Sequence, residues 1–278
     1  MNIDIKGQRM YAYTGGKDFN PHQPTVVLVH GVLCDHSVWL LQSRYLAHHG
    51  WNVLAVDLPG HCKSEGAPPA SVQEGAVFIQ DLLDAMDIPQ AALVGHSFGS
   101  LICLQAAADL GPRVTHLALV GTAYPMQVSK ALLDASRDEP LKALHMTNVF
   151  SRATLSPPSG AGSWVFGASL ALGRRVLASN PSVNLFHTGF HACNQYDKGF
   201  EAMAAVRCPV RMVLGQADQM TTPKAAQALY QHALDGGVSI DRVMVAHGHH
   251  QMSESPDQTL EALVGFLNRQ STCVEVQA

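Results

Sequence analysis

The chain has 278 residues, 47% of them hydrophobic and only 14% charged, a balance that excludes intrinsic disorder and suits one α/β domain carrying an insertion. The net charge of −4 comes with scattered Lys and Arg, which excludes nucleic acid and anionic membrane as partners and leaves a small neutral or weakly polar molecule as the expected one. No run of about 18 apolar residues is present to span a bilayer, Met1-Asn2-Ile3-Asp4 lacks the basic start of a secretory signal, and the six cysteines show no C-x-x-C or metal spacing; the expectation is a cytoplasmic protein with free thiols and no metal or other cofactor.

In chain order, residues 8–14 alternate as an early strand, and Gly15-Gly16 with Pro21 and Pro24 mark a loop. Thr25 to Val29 is a continuous β-branched run, as expected for a strand buried on both faces of a parallel sheet. Helix-like sequence from Ser37 to His49 stops at Gly50, and Val53 to Val56 gives the next buried strand, running into Asp57-Leu-Pro-Gly-His. Ser71-Val-Gln-Glu74 is a capping box before a helix that keeps Val72, Ala76, Ile79, Leu83 and Met86 at helical spacing.

Ala91 to Val94 is an apolar run that breaks at Gly95-His96-Ser97-Phe98-Gly99 and is followed by helix-like sequence, so G-x-S-x-G stands in a strand-turn-helix context. Such a turn strains the serine backbone and brings helix and strand together, which asks for small residues at both flanks and presents Ser97 as a nucleophile. The backbone N–H of Phe98, the residue after it, is placed to stabilise developing negative charge. A strand at Val114 to Val120 continues the alternation, and the expected fold is α/β, a doubly wound, mostly parallel sheet.

From residue 124 to 205 helical segments replace that alternation, interrupted by Ser156-Pro-Pro-Ser-Gly-Ala-Gly-Ser163. The domain expectation is a core made of 1–123 and 206–278 with a helical cap of 124–205. Strands return at Pro209 to Leu214 and near Ile240 to Val245, with helices near Pro223 to Leu234 and Asp257 to Asn268, and the tail 271–278 is loosely held. Just after the two late strands stand Asp218, in Gly215-Gln-Ala-Asp, and His247, His249 and His250. A serine hydroxyl needs a base, itself oriented by a third group, and chain order Ser, Asp, His fits that requirement. Asp218 has a competing reading as a turn aspartate capping the helix near Pro223.

His30-Gly31, Asp57-Leu-Pro-Gly-His61, Gly95-x-Ser97-x-Gly99, Gly215-x-x-Asp218 and Gly248-His249-x4-Glu254-x-Pro256 together resemble the α/β-hydrolase family, specifically its capped, esterase-like members, over nearly the whole chain outside the cap. The resemblance selects His249 as the base, leaving His247 and His250 as packed or solvated imidazoles. It implies the N–H of Val32 as the second oxyanion donor, and His30 and Gly31 beside substrate. Asp57 is expected to hold its neighbouring loop. Ser100 and Cys62 depart from the family's usual glycines, and Cys34 near the oxyanion loop is expected to be packed.

Cap candidates for the substrate wall are Met146, Phe150, Trp164, Phe186 and Phe190, with Phe166 as a similar position; Phe186/Phe190 and His187/His191 form two i,i+4 pairs. The expected activity is a cofactor-free serine hydrolase acting on a small, largely apolar carboxylic ester through an acyl-enzyme on Ser97. Carbon-carbon bond hydrolysis, which an Arg near Ser97 would favour, perhydrolysis, and a non-catalytic ligand receptor stay open. Haloalkane dehalogenase and epoxide hydrolase chemistry is disfavoured, because those relatives need Asp where this chain has Ser97. The partner is a small-molecule substrate, and a homodimer is left open.

Overall fold

The computed structural model describes residues 1–153 and 165–269, with backbone alone for Val165 and Phe166. Eight strands form one sheet: β1 (Asn2–Ile5), β2 (Gln8–Tyr13), β3 (Thr25–Val29), β4 (Asn52–Val56), β5 (Ala91–His96), β6 (Val114–Val120), β7 (Val210–Gly215) and β8 (Ile240–Val245). Their spatial order is β1-β2-β4-β3-β5-β6-β7-β8, antiparallel at β1-β2 and β2-β4 and parallel elsewhere. The doubly wound, mostly parallel sheet expected from the alternation is therefore present.

β3, β4 and β5 are buried along their whole length, because side chains of alternate residues pack into two different cores. On one face Val27, Val29 and Leu93 meet the helices α2 (Val72–Ala85), α3 (Phe98–Leu110) and α9 (Pro223–Asp235). On the other face Val26, Leu28 and Val94 meet α1 (Leu40–His48) and α11 (Pro256–Leu267). The helix expected from Ser37 starts as a 3-10 turn, His36–Trp39, before α1. Helix α2 begins as its box predicts, with Ser71 Oγ accepting the Glu74 N–H at 3.1 Å, while the Glu74 carboxylate reaches one residue further back, to the Ala70 N–H at 2.8 Å.

Strand β1 escaped the sequence reading. Lys6 and Gly7 both have positive φ, 54° and 78°, which makes a two-residue hairpin turn without the usual Asn-Gly or Asp-Gly spelling. The register Ile5↔Gln8 to Asn2↔Tyr11 follows, burying Ile3 and Ile5.

Between β6 and β7 lie α4 (Lys130–Asp138), α5 (Pro140–Ser151), α6 (Val165–Ser179), α7 (Leu185–Gln195) and α8 (Gly199–Ala205). Leu132, Leu144, Leu170, Val176 and Phe186 give α4 to α7 a core of their own, which reaches the sheet through Leu33. Short α10 (Gln251–Glu254) precedes α11. Among the described residues no helix is long and apolar enough to cross a membrane. The predicted loop 156–163 and the tail 271–278 lie outside the described residues.

Candidate active site

Ser97 sits between β5 and α3 at φ 53°, ψ −118°. A non-glycine residue held there costs about 1–3 kcal/mol, so its surroundings must over-determine it. The Ser97 N–H continues the ladder by donating to the Val120 carbonyl at 2.9 Å, and α3 starts at the next residue. A Cβ on Gly95 would fall 2.1 Å from the Gly99 carbonyl oxygen, and one on Gly99 would fall 2.5 Å from the carbonyl oxygens of Val29 and His30. Both glycines are therefore steric requirements of the turn. Ser100, where the resembling family has glycine, braces it from behind: its hydroxyl donates to the Ser97 carbonyl at 2.5 Å and meets Thr122 Oγ1 at 2.9 Å.

His249 follows β8, and its Nδ1 lies 2.8 Å from Asp218 Oδ2, with both side chains buried. Asp218 is set in a turn after β7, where its Oδ1 accepts the N–H groups of Met220 and Thr221, each at 2.8 Å. Burial opposes its ionisation, but the neighbouring His249 and the Thr221 donors outweigh that and hold its carboxyl below the usual range. The cap of α9 is supplied by Thr222 instead, so Asp218 is not the helix-capping aspartate of the competing reading. Gly248 is required as well, because a Cβ there would stand 2.6 Å from the Ser151 carbonyl oxygen. His96 ties the Ser97 turn to this loop: its Nε2–H donates to the His249 carbonyl at 2.8 Å. Burial and the facing His249 push its pKa down to about 3, so the ring stays neutral.

The loop after β3 brings Gly31 against Ser97, where a Cβ would lie 3.0 Å from Ser97 Cβ and 2.9 Å from His96 Nδ1. His30, expected beside substrate, is instead fully buried behind that loop. Leu58 N–H donates to its Nε2 at 3.1 Å, so Nδ1 carries the hydrogen and donates to the Gly31 carbonyl at 2.8 Å. Both ring nitrogens are used, and His30 is a brace of the loop rather than a substrate contact. Phe98 opens α3, where the helix leaves its first N–H groups unpaired by its own carbonyls.

Asp57 holds the adjacent loops as expected, accepting from His36 N and Nδ1 at 2.8 and 2.7 Å and from Lys63 N at 3.2 Å. Asp35, His36 and Asp57 bring three metal-type donor atoms within 4.8 Å of one another. Asp35 is already engaged by Ser37 and Arg175, and Asp57 by His36 and Lys63, so this cluster is a hydrogen-bonded brace. Cys34 is packed, and burial pushes its thiol up to about 12; Cys62 reaches Asp35 from the loop after β4, and burial pushes it equally high.

Ser97, Thr221 and His249 open into a cavity of about 320 Å³ whose far wall includes Met146, Phe150 and Phe190. A smaller one, about 50 Å³, shares Ser97, His249, Val32 and Phe190 and adds Phe186. Of the cap candidates, Met146, Phe150 and Phe190 thus border the larger cavity at Ser97 and Phe186 only the smaller one. Gly31 borders neither; it is behind Ser97. Trp164 lies outside the described residues, as does the Phe166 side chain. Sequence reading missed Thr221 and His96, whose roles depend on partners in other segments.

Residues 24–140 match the family described as alpha/beta hydrolase fold. The dihydrolipoyllysine-residue acetyltransferase component of the acetoin cleaving system of Pseudomonas putida is 25% identical over 258 residues, covering 92% of this chain; the chain spans 65% of that protein's length, less than two thirds. The (E)-2-((N-methylformamido)methylene)succinate hydrolase of Acinetobacter baylyi is 23% identical over 250 residues, 87% of this chain and 89% of that one. Among solved structures, the enol-lactonase of Burkholderia xenovorans LB400 superposes with a TM-score of 0.80 at 21% identity, covering 97% of this chain and 100% of that one.

Proposed function

We propose, from the match of residues 24–140 to the alpha/beta hydrolase fold family and the shared fold of the enol-lactonase, that this chain is a serine hydrolase of small, largely apolar carboxylic esters. The observation that carries the reading is the strained Ser97 sharing one cavity with His249, whose far ring nitrogen is hydrogen-bonded to buried Asp218. In this mechanism Ser97 Oγ attacks the ester carbonyl carbon as its proton passes to His249 Nε2. Asp218 fixes the Nδ1–H tautomer and stabilises the imidazolium. The carbonyl oxygen, now negative, takes the N–H groups of Phe98 and Val32. Collapse of the tetrahedral intermediate returns the proton to the departing alcohol, and water activated by His249 then releases the acid from Ser97.

The apolar lining, Met126, Leu132, Met146, Phe190 and Met220 among it, supports an apolar acyl or alcohol group. No Lys or Arg lines either cavity at Ser97 among the described residues, and none occurs in the sequence of residues 154–164. That favours a neutral ester over the anionic diketone-like acids of a carbon-carbon hydrolase. The test is turnover of p-nitrophenyl esters of increasing acyl length by wild type and Ser97→Ala. Hydrolysis that disappears in the variant, with the fold intact, is the expected result; substantial turnover without the Ser97 hydroxyl removes Ser97 from its role.

A further inference from the structure

Thr221 is where the Asp218–His249 pair converges. Its Oγ1 lies 2.8 Å from Asp218 Oδ2 and 3.0 Å from His249 Nδ1, while those two atoms are 2.8 Å from each other, so three polar atoms close a triangle. All three residues are buried. The assignment of hydrogens follows from what each group offers. A carboxylate oxygen only accepts, so the hydroxyl hydrogen points to Oδ2. Nδ1 faces that carboxylate and carries a hydrogen, which is shared between Oδ2 and a lone pair of Thr221 Oγ1. Through its backbone N–H, Thr221 also holds the other carboxylate oxygen, Oδ1, at 2.8 Å.

Other neighbours leave this position without a substitute. Gln251 Nε2 stands 3.4 Å from Oδ2, at the long limit of a hydrogen bond. Gly121, held at φ 55°, also approaches the ring: a Cβ there would come 3.2 Å from His249 Nδ1. Close to the Nδ1 edge of the imidazole thus stand a residue with no side chain and the Thr221 hydroxyl.

We propose that Thr221 is a positioning residue of the triad, whose hydroxyl fixes the plane of the Asp218 carboxylate and the rotation of the His249 ring so that Nε2 is aimed at Ser97. The proposal rests on the serine-hydrolase reading above. Valine has nearly the shape of threonine but can neither donate to Oδ2 nor accept from Nδ1, whereas serine keeps both abilities.

The experiment compares wild type, Thr221→Val and Thr221→Ser, each with Asp218 intact and as Asp218→Asn. Three quantities are read: kcat and KM on p-nitrophenyl esters, the rate of fluorophosphonate labelling at Ser97, and the far-downfield proton resonance of His249 Nδ1–H. A hydrogen bond to a charged group lost from the transition state predicts that Thr221→Val lowers kcat and the labelling rate by about tenfold to a hundredfold with KM nearly unchanged. Thr221→Ser restores most of that loss. In the Asp218→Asn background the valine costs less than about threefold, since groups acting as a unit are non-additive. The resonance moves in Thr221→Val and returns in Thr221→Ser. An unaltered kcat, an effect confined to KM, or an equal cost in both backgrounds overturns the proposal. An unmoved resonance in an active enzyme overturns it too, with the hydrolase reading intact. A resonance that moves in a protein showing neither turnover nor labelling supports the contact and overturns the hydrolase reading.

Discussion

The histidines His247, His249 and His250 are near neighbours in sequence and differ in what each ring meets. His247, at φ 77°, turns its Nδ1 to Ser255 Oγ at 2.8 Å and serves the loop. His249 alone of the three faces a carboxylate, Asp218, and lines the larger cavity with Ser97, whereas of the two cavities there His250 borders only the smaller one. His250 is half-buried beside Arg152, and desolvation first, then that guanidinium, hold its pKa well below the ordinary imidazole value. A ring that resists protonation beside a cation is a poor general base. His249→Ala is accordingly expected to cost about 10⁴-fold or more in kcat, as loss of a triad base does, and His250→Gln less than a tenth of that on the same ester assay. Equal losses would dissolve the distinction.

Helix α5 illustrates how one element fixes another. Its last residue, Ser151, accepts the His249 N–H at 2.8 Å, so the end of α5 is docked on the loop that carries the proposed base. The next two residues hold it there. Ala153 N–H donates to Glu254 Oε2 at 3.1 Å, and Arg152 Nη1 reaches Ser253 Oγ at 3.1 Å and Glu254 Oε1 at 3.7 Å. Arg152 Nη2 also bonds Ser169 on α6. With both charged side chains nearly inaccessible, removing one leaves the other buried and unpaired. Glu254→Ala is expected to lower unfolding stability by about 3–5 kcal/mol, and to lower kcat through the loosened His249 loop; urea titration measures the first. A loss under about 1 kcal/mol would mean that the pair is a bystander, as exposed ion pairs are.

Across the molecule, buried neutral histidines make the fold acid-sensitive. Burial pushes His61 down to about 4 and His96 to about 3, and it lowers His30 and His250 as well. In the unfolded chain these rings titrate near about 6.5. Below that pH the unfolded state binds protons that the native state does not, so stability falls with falling pH, and it is fully present only above the unfolded value. The expected outcome is a decline in the denaturation midpoint between pH 7 and pH 4, with a limiting slope of about 1.4 kcal/mol per pH unit for each such ring. Replacing His61 with Gln should flatten the decline by one ring's share. A midpoint independent of pH over that range would refute the assignment of neutral rings.

Local rules made the sheet and the strained turn at Ser97 legible from sequence, because each depends on near neighbours: a β-branched run, a glycine at fixed distance, a helix following a strand. The choice of Asp218 and His249 as its proposed partners leaned on chain order and on the family resemblance. The first glycine flank is local, since Gly95 is needed by the backbone of Gly99, whereas Gly99 is needed by the carbonyls of Val29 and His30 at the end of another strand. His30 was misplaced because a His-Gly spelling does not say which way a ring turns; Leu58, 28 residues on, draws it inward. Thr221 and His249 are also 28 residues apart, Ala153 and Glu254 101, and His96 and His249 153. No periodicity connects such pairs. They meet because parallel strands deliver their carboxyl ends to one edge of the sheet, and the hydrogen bonds formed there depend on distances of tenths of an ångström that only the packed chain sets.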